Sequence, residues 1–303
     1  MQIKLRLYLI LFAFFLFLID SIFVLTNSTQ ISFLILVLIL FGVPHGALDL
    51  YIDQHLHKSD SNQKIFLLKY IGNIVAYALV WYFFPIAALV IFILITAYHF
   101  GEIDWMGKTE NIIHKIAYSV IGLLWILLLL SKNVNFALEV FMRMERSAFN
   151  EKQWIHLANK IYPITLIGLF AVYAVLFFFK GLFFSKNKYY YYLIIQQLTL
   201  IVFALFMPLW LCFAFYFGFW HSLLSFDKIR ITFSMPNNFT GWKNLLIKAA
   251  PFSIVAWFGF IYITLSTLNS KDASGIFTLL FISLSVLALP HLQIFTKIKL
   301  KED

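Results

Sequence analysis

About ten stretches of this chain are apolar over nearly the length a helix needs to cross a bilayer, and that succession leaves few folds open. They run near residues 7–25, 31–50, 65–84, 86–100, 112–130, 161–179, 189–206, 208–226, 248–266 and 276–295. Inside hydrocarbon every backbone N–H and C=O must pair within its own segment or a closed barrel. Runs of this length therefore predict helices, and the fold class is all-α: a polytopic helical membrane protein. Several runs are separated by only a few residues, so the expected count is eight to ten transmembrane helices. The chain is 62% hydrophobic and 12% charged, whereas soluble domains carry about 25% charged residues. No linker or low-complexity tract divides it, and residues 1–303 read as a single integral membrane domain.

The formal charge of +9 does not point to nucleic acid, because the basic residues are dispersed between apolar runs and form no tract with interleaved aromatics. They report topology instead. With ten spans and the N-terminus inside, 17 Lys and Arg fall on inside segments, counting those at the inside ends of spans, and 6 on outside ones. The positive-inside rule then places both termini in the cytoplasm, in a multi-pass protein of the cell inner (plasma) membrane. The first run follows Lys4 and Arg6 but has no small-residue cleavage pattern, so it reads as a retained helix. Cys212 is the one cysteine, which excludes an intramolecular disulfide and a thiolate cluster. The long polar interruption at 131–160 is expected along the outer surface, partly as an amphipathic helix.

Four of the eight histidines, His45, His99, His221 and His291, lie in four different apolar runs at one depth. Counted from Ile31, Ile86, Pro208 and Ile276 they are about 13 to 15 residues in, or roughly 20 Å at about 1.5 Å per residue. The topology puts all four near the cytoplasmic side. A ring of imidazoles inside a membrane protein points to a metal centre, and imidazole suits iron, copper, zinc and nickel alike. The other four, His55, His57, His114 and His156, fall in or beside polar connections and are expected to be solvated.

The local motifs sharpen this. In Gly42-Val43-Pro44-His45-Gly46-Ala47-Leu48-Asp49, His45 and Asp49 are four apart on one helix face. They are either two ligands, or one ligand with a carboxylate that fixes its tautomer. His99 opens His99-Phe100-Gly101-Glu102-Ile103-Asp104; Glu102 can share its face, and Asp104 can do so if the helix ends first. His221 sits in the aromatic stretch Phe217-Gly218-Phe219-Trp220-His221. His291 follows a proline, as His45 does, and is a ligand, a neighbour that orients one, or a helix-end polar group. Proline within a spanning helix removes one backbone hydrogen bond and kinks the axis, which can turn the next side chain inward. Pro85 and Pro208 instead fit tight turns between paired helices.

Taken together, Pro44-His45-Gly46-Ala47-x-Asp49, His99-Phe100-Gly101-x-x-Asp104, His221-Ser222 and Pro290-His291 resemble the Brp/Blh family of membrane β-carotene dioxygenases. The resemblance covers most of the chain. It implies cleavage of β-carotene at its central double bond with dioxygen and ferrous iron, Fe(2+), giving two retinal molecules that can supply a rhodopsin. It also implies that His45, His99 and His221 bind the iron, with Asp49 and Asp104 as supporting residues. One position departs from the family pattern: Ser225 stands where a second histidine follows four residues after His221. Three explanations compete: His291 supplies the remaining ligand, water fills the place, or the activity has changed. Membrane desaturases and hydroxylases would show boxes such as His-x-x-His-His, and none occurs. A haem protein using two of the histidines, and a transporter, are the alternative classes. A retinal-binding receptor would need a lysine near mid-membrane, and every lysine maps to a helix end or connection.

Overall fold

The structure is a computed structural model, and it describes residues 2–57, 62–105, 112–144, 151–178, 190–268 and 273–298. Among these residues there are helices and turns and no strand. Eight helices are long and apolar enough to cross a membrane, and two shorter apolar ones, Tyr190–Phe206 and Phe281–Phe295, accompany them. Each of the ten predicted runs is thereby met by a helix. The chain is a helical membrane protein.

We number the helices α1 Gln2–Phe23, α2 Asn27–Val37, α3 Val43–Gly46, α4 Asp49–His57, α5 Gln63–Phe83, α6 Pro85–Asp104, α7 Ile112–Lys132 and α8 Val134–Met144. Then follow α9 Glu151–Phe178, α10 Tyr190–Phe206, α11 Leu209–Phe213, α12 Ser222–Thr232, α13 Phe239–Leu268 and α14 Ala273–Phe295. Two π-helical segments interrupt the series, Leu38–Gly42 before α3 and Ala214–His221 before α12. Pro85 opens α6 after a single intervening residue, Phe84, and Pro208 caps α11, as expected of tight turns between paired helices. α8 lies in the polar interruption with its apolar and polar residues on separate faces; residues 145–150 of that interruption are outside the described set.

The chain divides into two compact units. The first comprises Met1–Leu36, Thr96–Leu138 and Ala148–His221. Its core runs along α7, where Tyr118, Ile121, Gly122, Trp125 and Leu128 are buried at the three- and four-residue spacing of one helix face. Glycine brings α6 and α7 into backbone contact. A Cβ on Gly101 would stand 2.0 Å from the Tyr118 carbonyl oxygen, and one on Gly122 would stand 1.9 Å from that of Ala97. Small residues are what permit such an approach where no hydrophobic effect drives helices together. At the far end of α7, Lys132 Nζ donates to the carbonyls of Ala204 and Met207 at 2.7 and 3.0 Å, placing a cation on the closing carbonyls of α10.

The second unit comprises Val37–Ile95, Glu139–Ser147 and Ser222–Asp303. Asn62 caps α5 by accepting from the amides of Lys64 and Ile65 at 3.1 and 3.3 Å. Tyr77 and Trp81 of α5 pack with Ala88 and Val286 into a buried cluster, and the Tyr77 hydroxyl donates to the Ala88 carbonyl at 2.7 Å. α14 runs beside α5, with Asn73 Nδ2 donating to Gln293 Oε1 at 2.8 Å. α12 carries a buried ion pair in which Arg230 donates to Asp227 at 2.7 and 2.8 Å.

Candidate metal centre

Burial separates the eight histidines as their depth in the sequence predicts. His45, His99, His221 and His291 are 5%, 6%, 1% and 7% exposed. His55, His57 and His156 are exposed and His114 is half-buried. Three of the buried ones, His45, His99 and His221, offer donors of the kind a metal ion takes. Each unit holds a pair of the buried histidines, and the two pairs are held in different ways.

In the first unit the His99 and His221 rings meet at right-angled tilt, 4.8 Å between centroids. Phe100 packs on His221 at 4.5 Å and Phe217 stacks on it at 5.9 Å. Beneath them lies a polar layer. The Asp104 carboxylate accepts from the Tyr216 hydroxyl and from Trp220 Nε1, both at 2.8 Å. Asp104 is the last residue of α6, so the helix does end where its side chain has to turn inward. The π-helical turn at Ala214–His221 is the counterpart. An α-helix would advance 3.6 residues per turn; the wider turn carries Tyr216, Trp220 and His221 together into buried positions. Arg6 completes the layer, donating to the Ile103 carbonyl at 2.6 Å, the Asp104 carbonyl at 2.9 Å and Gln196 Oε1 at 3.1 Å.

In the second unit His45 Nδ1 lies 2.5 Å from the Gly42 carbonyl and 3.3 Å from Ser222 Oγ. A ring N–H given to a backbone carbonyl fixes the tautomer and leaves Nε2 as the metal-binding atom. The π-helical turn at Leu38–Gly42 ends at that carbonyl. Asp49 takes a different partner from the one its spacing predicts. Ala47 and Leu48 form a turn between α3 and α4, so the four-residue face between His45 and Asp49 is interrupted. Asp49 instead accepts from His291 Nδ1 at 2.8 Å and from the Tyr70 hydroxyl at 2.9 Å. The His291 ring then stands edge-on to His45, 5.1 Å between centroids. Ser225 is fully buried, and its Oγ has no hydrogen-bond partner among the described residues.

Arg6, Tyr70, Tyr216 and Gln196 escaped the sequence reading because tyrosines, glutamines and a terminal arginine are common in such chains, and only a three-dimensional partner distinguishes these. Trp220 was visible as a neighbour of His221, but its tie to Asp104 spans 116 positions.

The family model for beta-carotene 15,15'-dioxygenase matches residues 36–299. The chain belongs to that family. Its members are carotenoid-cleaving dioxygenases, and so is this protein. A beta-carotene 15,15'-dioxygenase from an uncultured marine bacterium (66A03) is 26% identical over 268 residues, covering 85% of this chain and 90% of the relative. No solved structure matches the chain. The family match takes in all four buried histidines together with Asp49 and Asp104, and it leaves α1 outside.

Proposed function

We propose that the chain, acting as one integral membrane domain over 1–303, cleaves β-carotene at its central 15,15′ double bond with dioxygen, giving two retinal molecules. In this reading His45, His99 and His221 hold a ferrous ion together, and His291 completes the donor set through Nε2. The observation that carries it is the burial of these imidazoles with no thiolate among their neighbours, in a chain of this family. The donor set fits the ion: neutral imidazoles in an apolar, aromatic setting accommodate Fe(2+) and leave coordination positions open for small molecules. Bound there, iron supplies the redox chemistry that makes dioxygen reactive toward an alkene. The reaction breaks one carbon–carbon double bond and forms two carbonyl groups, each taking one oxygen atom from the same dioxygen molecule.

The protein's own groups prepare the site. Gly42 and Ser222 hold His45 in the Nδ1–H tautomer, and Asp49 holds His291 the same way while Tyr70 holds Asp49. Asp104 carries no part of the ion in this proposal; with Tyr216 and Trp220 it sets the orientation of the turn that bears His221. Phe100 and Phe217 exclude water around the His99–His221 pair. A long apolar polyene dissolves in the bilayer and can reach such a site from the side, through helices whose outer faces are apolar. We place the protein in the inner membrane with both termini cytoplasmic, and its product in the service of a rhodopsin. Expression in a bacterium that accumulates β-carotene tests the reading. Carotene loss with His45-dependent retinal supports it, and folded, metal-loaded protein that forms no retinal overturns it.

A further inference from the structure

α1 precedes the residues matched by the family model, yet one of its side chains reaches the polar layer under the His99–His221 pair. Arg6 is 1% exposed. Its guanidinium donates to Ile103 O at 2.6 Å, Asp104 O at 2.9 Å and Gln196 Oε1 at 3.1 Å, and it lies 5.6 Å from the centroid of the Trp220 ring. A buried arginine in an apolar chain is costly unless its charge is compensated and its donors are satisfied. Here the compensation comes from the negative end of the α6 helix dipole, where the final carbonyls lack partners within the helix, and from the π-face of Trp220. The planar fork is what lets one side chain span two successive carbonyls, which a lysine ammonium cannot reproduce.

The choice of partners gives this contact a function. Ile103 and Asp104 close the helix that bears His99, and Trp220 is the residue before His221. The Asp104 carboxylate already joins these segments through Tyr216 and Trp220. Arg6 holds the same residue by its main chain, so the end of α6 cannot shift without breaking its bonds to the guanidinium, while Tyr216 and Trp220 hold the carboxylate itself. Phe12, farther along α1, packs on Phe219 at 4.8 Å between centroids and seats the helix on the π-helical turn itself.

We propose that Arg6 is a positioning residue for the His99–His221 pair, setting the geometry these two imidazoles offer to the metal. This rests on the metal reading given above. The test is a titration of metal-stripped, full-length protein in detergent with cobalt(II), whose visible d–d absorption reports the ligand geometry independently of turnover. Arg6→Gln should weaken cobalt binding about 10- to 100-fold, the range for losing a residue that orients a ligand, and should shift the d–d bands. Arg6→Lys should fall between it and the wild type, and His156→Ala should match the wild type. Gln196→Leu, which removes one acceptor of the same guanidinium, carries the test if Arg6→Gln does not fold, and should move the bands in the same direction. Wild-type bands and affinity in the folded Arg6→Gln protein, or in Gln196→Leu where that variant stands in, would overturn the proposal and leave Arg6 a fold anchor. Loss of cobalt in His99→Ala shows that the metal reading holds whatever the Arg6 variants do; if His99→Ala keeps its cobalt, the reading and the Arg6 proposal fall together.

Discussion

The two buried histidine pairs are fixed by opposite means. His99 and His221 are held by surfaces: rings of Phe100 and Phe217 press on His221, and the polar layer of Asp104, Tyr216, Trp220 and Arg6 fixes the backbone that carries it. His45 and His291 are held by their own nitrogens, one on a backbone carbonyl and a hydroxyl, the other on a carboxylate. Packing restrains where an imidazole sits, while a hydrogen bond also decides which nitrogen carries the proton. In the second pair the surroundings therefore set the tautomers as well as the positions.

If the pairs serve one ion, removing an imidazole from either should be equally damaging. His45→Ala, His99→Ala and His221→Ala are each expected to abolish metal retention and retinal formation, read by elemental analysis of purified protein and by chromatography. Full activity in any one would remove that residue from the site. A difference between the pairs should appear instead in the backbone. Gly101→Ala forces a methyl against the Tyr118 carbonyl, 2.0 Å away, in the unit where packing does the positioning. Overpacking of main chain on main chain cannot be relieved by a rotamer, so we expect a loss on the order of 3 kcal/mol, seen as a lower Tm in detergent. Gly72→Ala meets nothing within 4 Å and should leave Tm unchanged.

The next largest effects separate the two carboxylates. Asp49→Asn keeps the shape but replaces an acceptor-only group that orients His291, and it should weaken metal affinity about 10- to 100-fold. Tyr70→Phe removes one donor to Asp49 and should do the same by a smaller factor. Asp104→Asn acts on the backbone-fixing layer, so its signature should be a fall in Tm together with the loss of metal. If both substitutions lower affinity without touching Tm, the distinction between the pairs fails.

What could be read from the sequence divides along the same line. The helical spans were legible because a bilayer imposes length and apolarity on each of them, and the depth of His45, His99, His221 and His291 follows from counting along each run. Pro44 and Pro290 each precede a histidine that is buried. The partner of Asp49 was not legible: the helix breaks at Ala47 and Leu48, and the carboxylate goes to a histidine 242 positions away. Nor were the π-helical turns, since an inserted residue in a helix changes hydrogen bonding without any compositional mark. The role of Arg6 was hidden by its place just ahead of the first apolar run in the sequence, where a basic residue reads only as topology.

The smallest expected effect bounds the comparison from outside. His57 lies in the second unit with His45 and His291, and its Nδ1 is 3.0 Å from an Asp53 carboxylate oxygen, so by residue types alone it resembles the Asp49–His291 pair. Its environment does not. The His57 side chain is 48% exposed against 8% for His291, and water competes for every contact it makes. Exposed pairs of this kind contribute about 0 to 1 kcal/mol, whereas a buried pair that loses one partner leaves the other stranded. His57→Ala should accordingly shift stability by less than about 1 kcal/mol and leave metal content and retinal formation at the wild-type level. Metal loss in that variant would show that histidine–carboxylate spacing, and not burial, selects the residues that matter, and the contrast between the inner pairs and the outer histidines would have to be redrawn.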